Sequence, residues 1–179
     1  MNRIEQNNIN TSSQAETKKR IWQILGTVND PEIPVLSVID LGIVRDVEYD
    51  PGLSFSSEGW RVIITPTYSG CPAMDVISMN IRIALIKEGI TSIKITQQLS
   101  PAWTTDWMTA SGKDKLKSYG IAPPAAKSFD KNYLENLVVN CPLCNSANTK
   151  LISQFGSTAC KALYQCNDCK EPFDYFKCH

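Results

Sequence analysis

The sequence lacks the features of membrane-spanning, secreted and broadly nucleic-acid-binding proteins. No run of about 18 apolar residues occurs, and residues 1–14 contain no apolar segment of the kind that a secretory signal needs. The 18 basic and 18 acidic side chains cancel, and the longest basic run is Lys18, Lys19 and Arg20. Because a nucleic-acid-binding face needs clustered cations to displace phosphate counterions, such a face is not favoured. We therefore predict a cytoplasmic protein with no membrane or nucleic-acid partner.

Histidine is almost absent, since the only one is His179. No Ser-His-Asp or Cys-His arrangement is evident, which argues against a nucleophilic hydrolase. The sequence also has no Glu-x-x-His pair of the kind that di-iron proteins carry on their helices. We therefore predict that the chain is not an enzyme and is not an oxygen-activating di-iron subunit.

Cysteine, in contrast, is frequent, with 7 in the chain. Cys71 is isolated, whereas the other six lie between Cys141 and Cys178. Because the cytosol keeps thiols reduced, these cysteines are better explained by metal binding or thiol chemistry than by structural disulfides. Both groups are candidate metal or thiol sites.

Four of the C-terminal cysteines form two C-x2-C motifs, Cys141 with Cys144 and Cys166 with Cys169, separated by the 21 residues 145–165. This spacing is close to that of a zinc ribbon, in which a hairpin brings the two motifs together around one tetrahedral ion. A module of roughly 40 residues cannot rely on its core alone, so structural zinc would supply much of its folding free energy. A rubredoxin-like iron and a four-thiolate iron–sulfur cluster use the same ligands and remain alternatives.

Three donors remain outside these two motifs, namely Cys160, Cys178 and His179. One interpretation makes Cys160 a small packing residue and the last two a flexible end. The alternative is that some of them bind a second metal transiently or exchange with ligands of the first site.

The remainder of the sequence favours an α+β domain with a small mixed or antiparallel sheet packed with helices. A Ser13-to-Glu16 capping-box pattern predicts a first helix over 14–28. Alternation and β-branched residues then predict strands at 43–49 and 60–68, which form a hairpin with a long loop. A helix at 72–87, a strand at 92–99 and a short helix within 103–119 are predicted to follow.

Composition also suggests where the domains begin and end. We expect a disordered tail at 1–13, the α+β domain at 14–120, a proline-rich linker at 121–135 and the ribbon at 136–179. The predicted hairpin of the ribbon uses 150–155 and 162–165.

Cys71 follows Gly70 and precedes Pro72, which is suited to a first helical turn. Backbone amides at a helix N-terminus stabilise an anion, so we expect a lowered thiol pKa and a reactive thiol or transient metal ligand at Cys71. The alternative is a buried, inert cysteine. Asp30 and Glu32, in the segment DPEIP, are candidate supporting carboxylates, although either one could instead cap a turn.

Three segments, DPEIP at 30–34, VIDLGIV at 38–44 and TPTYSGCP at 65–72, resemble the small iron–sulfur assembly domains of cytosolic maturation factors, over about 21–99. With SPAWTTDW at 100–107, FGSTACKALY at 155–164 and the terminal C-x2-C motifs, the whole chain is similar to the PaaD family. Members of this family are accessory subunits of the bacterial phenylacetyl-CoA epoxidase system.

The resemblance implies an accessory or maturation factor in aerobic phenylacetate breakdown, with the reductase and di-iron oxygenase components as partners. It places the reactive cysteine at Cys71, the acidic loop at Asp30 and Glu32, and metal-binding cysteines at the four C-terminal positions. Our leading hypothesis adds iron or an iron–sulfur cluster as a transient cargo, with structural zinc in the ribbon. One alternative is a stable electron-transfer or scaffold subunit with iron in the C-terminal site. A nucleic-acid-binding ribbon is a weaker alternative, and a homodimer sharing metal between two Cys71 thiols is open.

Overall fold

The computed structural model describes residues 3–54, 57–124, 134 and 137–177. Its N-terminal half contains α1 (Arg3–Leu25), β1 (Val44–Ser54), β2 (Ser57–Ile64), α2 (Ala73–Lys87), β3 (Ile93–Gln97), a 3-10 turn (Thr105–Trp107) and α3 (Ala110–Ser118). Its C-terminal half contains β4 (Ile121–Ala122), β5 (Thr149–Ser153), β6 (Lys161–Cys166) and β7 (Pro172–Phe176). The predicted α+β class is confirmed. None of the described helices is long and apolar enough to cross a bilayer.

Helix α1 differs from its prediction at both ends. It begins at Arg3, so the predicted start near Gln14 is wrong and residues 3–13 of the predicted disordered tail are helical. A capping box marks a favourable helix start, but it does not prevent the helical hydrogen bonds from continuing toward the N-terminus. No proline or glycine interrupts 3–25. The helix ends at Leu25, short of the predicted Val28, because Gly26 follows.

The first sheet has the order β1-β2-β3. Strands β1 and β2 are antiparallel, so the predicted hairpin is confirmed, but they extend to Ser54 and Ser57 through the segment expected to be a long loop. The turn-forming residues after Asp50 produce an irregularity in the pairing instead of ending the strand. Strand β3 runs parallel to β2, which requires the crossover that α2 provides.

The buried face of α2 packs on this sheet and forms the core of the first module. The helix buries Ala73, Met74, Ile77, Ile81 and Leu85 at helical spacing. It ends as predicted before Gly89, which has a φ of +82°.

The chain after β3 returns to the loop that precedes β1. The indole of Trp103 donates a 2.9 Å hydrogen bond to the carbonyl oxygen of Leu41. Gly42, at φ +67°, is in close contact with Trp107: a Cβ here would lie 2.2 Å from its carbonyl oxygen. Of the predicted helix over 103–119, a 3-10 turn and α3 are observed.

Asp40 links the same loop to α3. Its carboxylate accepts hydrogen bonds from the Ser37 amide and hydroxyl at 3.0 and 2.8 Å, from Lys115 at 2.6 Å and from the Thr109 hydroxyl at 3.1 Å. Burial opposes ionisation, but the bonds to Lys115, Ser37 and Thr109 outweigh it and lower the pKa of Asp40. The ionised Asp40 side chain therefore links the loop before β1 to α3 through hydrogen bonds and an ion pair.

The second sheet has the order β4-β7-β6-β5 and forms the C-terminal ribbon. Strands β5 and β6 form the predicted hairpin, with Leu151 opposite Tyr164. Ile121 and Ala122 were predicted to begin the linker, but they form β4 and pair in parallel with β7. Residues 125–133 and 135–136 of that linker lie outside the described part of the chain.

Strand alternation lets the ribbon contribute to two cores. Ala122 and Tyr175 pack in the ribbon's own core, whereas their neighbours Ile121 and Phe176 pack in the core of the first module. Phe176 is 1% exposed, and its ring meets Trp103 edge-on with centroids 6.1 Å apart. Ile121 and Ala122, which the predicted linker included, each pack in one of these cores because they lie on opposite faces of a paired strand.

Candidate functional site

The two C-x2-C motifs bring their four sulfurs into one cluster. The Sγ atoms of Cys141 and Cys169 are 3.8 Å apart, those of Cys144 and Cys166 are 3.5 Å apart, and all four lie within 4.8 Å of one another. A tetrahedron with zinc–sulfur bonds of about 2.3 Å has edges of about 3.8 Å. A disulfide would require about 2.05 Å. The donor set therefore fits a closed four-thiolate metal site.

The two motifs are built alike. The amide of Cys141 donates to the Ser146 carbonyl oxygen at 2.9 Å, and the amide of Cys166 donates to the Glu171 carbonyl oxygen at 3.0 Å. The residue after the second cysteine has a positive φ in each, 62° at Asn145 and 69° at Lys170. This repeated turn directs two sulfurs of each motif inward.

Cross-links between the motifs hold them face to face. Asp168 accepts hydrogen bonds from the Ser146 hydroxyl at 2.5 Å and from the Asn148 amide nitrogen at 2.8 Å. Amides of Cys169 and Asp168 lower the pKa of Cys166 to about 7, which favours the thiolate that a metal needs. Zinc bound by these four cysteines would keep no open position, so its contribution would be structural.

Cys71 lies at the start of α2, as predicted, two residues before Ala73. Its sulfur accepts from the Ala73 amide and from the Tyr68 hydroxyl. Gly70 has a φ of +82°, and a Cβ added to it would have no atom within 4 Å, so the backbone conformation requires glycine here.

The expected lowering of the Cys71 pKa is wrong. Burial raises the pKa of this half-buried thiol, and the charges of Glu32 and Asp30 raise it further. The Ala73 amide and the Tyr68 hydroxyl act in the opposite direction without compensating. Helix N-terminal amides stabilise a thiolate, but here two carboxylates and the loss of water have the larger effect. The free protein therefore holds Cys71 as a thiol at neutral pH.

The structure gives the two candidate carboxylates different surroundings. Asp30 is 8% exposed, and its Oδ1 accepts from the Glu32 and Ile33 amides at 2.8 and 2.7 Å, which is the turn-capping role that the sequence allowed. Burial raises the pKa of Asp30 despite these bonds. Glu32 is half-buried and receives a 3.6 Å contact from the Cys160 thiol.

Asp30, Glu32, Cys71 and Cys160 line one small cavity of about 10 Å³ with several apolar side chains. This volume is about that of one water molecule or one ion. The sequence named all four residues as candidates, but it assigned Cys160 to the ribbon. Cys178 and His179, the other two additional donors, lie outside the described residues.

Tyr68 is the residue whose importance the sequence understated. Burial raises its pKa to about 12, and the neighbouring Cys71, Glu32 and Cys160 contribute to the increase. Its hydroxyl therefore stays protonated at neutral pH and donates a hydrogen bond to the Cys71 sulfur. Its position directly before SGCP was the available signal, but many tyrosines precede helices only to pack.

Comparisons with known proteins agree with this two-module construction. Residues 18–95 match the "Iron-sulfur cluster assembly protein" family, and residues 125–177 match the "PaaD zinc beta ribbon domain". A "Fe-S protein maturation auxiliary factor" of Porphyromonas gingivalis is 34% identical over 52% of this chain and 85% of its own. The crystal structure of a domain of unknown function, DUF59, from Bacillus anthracis has the same fold as the first module. Its TM-score is 0.52 at 24% identity, over 59% of this chain and 96% of that one.

One relative spans both modules. It is an Escherichia coli K12 protein named as a putative subunit of 1,2-phenylacetyl-CoA epoxidase, and it is 51% identical over 158 residues, which cover 88% of this chain and 91% of that protein. The shared region is long enough to include the assembly module and the ribbon together. The chain therefore belongs to the PaaD family of phenylacetyl-CoA epoxidase subunits, which joins an iron–sulfur assembly domain to a zinc ribbon.

Proposed function

We propose that this protein is a maturation factor for a phenylacetyl-CoA epoxidase in aerobic phenylacetate degradation. It holds iron or an iron–sulfur cluster briefly at Cys71, with support from Glu32 and Asp30, and delivers it to the reductase or the di-iron oxygenase component. The ribbon binds structural zinc and docks on the client. The chain itself carries out no oxygenation.

The observation that carries this proposal is the cavity in which Cys71 faces two carboxylates. Sulfur and carboxylate oxygen together suit ferrous iron, whereas magnesium and calcium prefer an all-oxygen set. A metal at Cys71 must displace the thiol proton, so loading is coupled to proton release.

The names of the relatives supply the client class. One relative is named as an epoxidase subunit and another as a maturation auxiliary factor for Fe-S proteins. A protein that combines both kinds of module is well suited to serve an epoxidase whose components need iron. The first module would carry the cargo and the ribbon would recognise the client.

The second candidate function is that of a stable electron-transfer or scaffold subunit with iron in the ribbon. The sulfur–sulfur distances of 3.5 and 3.8 Å support this alternative as well, because iron can occupy the same four-thiolate site. The colour of the Cys71→Ser variant distinguishes the two functions, since ferric thiolate in the ribbon would still absorb visible light and zinc does not.

The experiment uses protein purified without oxygen, in the natural sequence and as Cys71→Ser. We expect one zinc per chain in both, and iron absorption only in the natural sequence. A cell producing Cys71→Ser should contain folded, zinc-loaded protein but iron-poor epoxidase components. Iron retained at the ribbon of the variant, or full epoxidase activity in that cell, would contradict the carrier function.

A further inference from the structure

One cysteine of the ribbon packs in the core of the first module. Cys160 precedes β6 and is 5% exposed, yet it packs in the core that contains α1 and α2 and not in the core of the ribbon. Its carbonyl oxygen accepts from the Lys177 amide at 3.0 Å, which ties it to the end of β7. The same docking buries Phe176 in that core. Cys160 is therefore held at the junction by both modules.

The sulfur of Cys160 lies among apolar side chains of that core and also has two polar contacts. Its sulfur lies 3.6 Å from Glu32 Oε2 and 3.0 Å from the Thr158 hydroxyl. A cysteine that only fills space behaves as a small hydrophobic residue, and contact with it removes water from part of the half-buried Glu32 carboxylate. The contact joins residues 128 positions apart, so local chain geometry does not force it.

The donor set around the cavity specifies the class of ligand. Two sulfurs, from Cys71 and Cys160, and the carboxylate of Glu32 converge on a cavity of about 10 Å³. One oxygen of Asp30 is already occupied by backbone amides, which leaves that residue a weaker ligand. Two thiolates and one carboxylate suit ferrous iron or another borderline divalent cation, with a fourth position open.

We infer that Cys160 is the second sulfur ligand for the iron carried at Cys71, and that Glu32 is the third ligand, so that the cargo is bound between the two modules. This inference rests on the proposed function and adds a residue to its site. Loading one Fe²⁺ converts two thiols to thiolates, releases two protons to solvent and leaves the oxidation state of the iron unchanged.

The donor atoms of this site are less closely gathered than those of the zinc site. Among the described residues, only the four ribbon cysteines already have their donor atoms within 4.8 Å of one another. Cys71 and Glu32 are half-buried side chains, so loading requires them to turn toward an ion beside Cys160. A site with three protein ligands and an open position also releases its metal more readily than a closed one.

The test is an anaerobic titration of the full-length, zinc-saturated protein with Fe²⁺. X-ray absorption at the iron edge reports the number of sulfur ligands per iron, and zinc measured in the same sample shows that the ribbon is intact. We expect two sulfurs per iron in the natural sequence and one in either Cys160→Ser or Cys71→Ser. The affinity of each variant should fall at least about tenfold, since a lost ligand should cost no less than a lost outer-shell partner.

Two further variants keep the test independent of folding. Cys160→Ala is close in size and should bind iron with one sulfur while retaining zinc and its thermal unfolding temperature. Glu32→Gln should keep two sulfurs per iron but bind more weakly. Cys178→Ser is the matched control, because it removes the remaining cysteine outside the zinc site and should leave the count at two.

The outcomes separate the inference from the proposed function. One sulfur per iron in the natural sequence, lost in Cys71→Ser and unchanged in Cys160→Ser, overturns the role of Cys160 and leaves the Cys71 carrier intact. A second sulfur that disappears in Cys178→Ser also overturns it. Iron binding that does not depend on Cys71 overturns both.

Discussion

Removing zinc from the ribbon should weaken the first module, although the metal site contains none of its residues. Without metal the ribbon cannot hold its two C-x2-C motifs together, and a module of this size should unfold. Ile121 and Phe176 would then leave the first core, where they are 6% and 1% exposed. Each such side chain contributes about 1.5–3 kcal/mol by burial, so the two together contribute about 3–6 kcal/mol.

Hydrogen exchange of the first module measures this coupling directly. Amides of β2 and α2 that exchange through global opening should do so about 100-fold faster or more after a chelator removes zinc, because each 1.4 kcal/mol is a factor of about ten. Re-addition of zinc should restore the slow rate. Cys141→Ser should reproduce the effect of the chelator, whereas Leu143→Ser, at an exposed position between the same two cysteines, should not.

An unchanged exchange rate in the first module of the zinc-free protein would refute the reasoning. It would show that Phe176 and Ile121 contribute no net stability there, and that the two modules are independent. A loss of protection confined to the ribbon strands would lead to the same conclusion.

Other predictions concern single side chains. Asp40→Asn should lower the free energy of unfolding by about 2–3 kcal/mol, as measured by urea titration of the zinc-loaded protein. Lys115→Ala, which removes the half-exposed partner of the ion pair, should lower it by only about 0.5–1 kcal/mol. Because the pKa of Asp40 is lower in the folded state, its contribution is present above the unfolded value near 4 and is lost as the pH falls through the folded one. The Asp40→Asn deficit should therefore be constant from pH 6 to 8. Gly42→Ala should cost about 3 kcal/mol by thermal unfolding, because a positive φ and a clash with Trp107 combine, whereas Gly70→Ala should cost about 1–2 from φ alone. Equal effects of the two glycine substitutions would contradict the role given to Trp107.

The elements that could be predicted from the sequence are those with strong local signals. Alternation marked β3, and helical spacing between a proline and a glycine marked α2 at nearly its observed bounds. The C-x2-C spacing was sufficient for the metal site, because each motif forms its turn locally and only one hairpin is needed to join them. Local patterns failed at the start of α1, where nothing in the sequence stops a helix.

The partner of Cys160 could not be predicted for a different reason. Nothing in the residues around it indicates that it faces Glu32, which lies 128 positions away in the chain. The pKa of Cys71 was mispredicted for the same reason: the helix N-terminus is local, whereas the burial and the carboxylates that outweigh it come from elsewhere in the fold. Sequence patterns indicate which residues carry chemistry, and packing decides which of them act together.

The division of the site between two modules has a thermodynamic consequence. Zinc in the four-cysteine site would order the ribbon, and the ribbon places Cys160 at the cavity of Cys71. If iron binds between them, zinc binding must strengthen iron binding, and by linkage iron must strengthen zinc binding by the same factor. A client that pulls the ribbon away from the first module would remove one sulfur ligand and lower the affinity for iron. Docking of the client and release of the cargo would then be a single event.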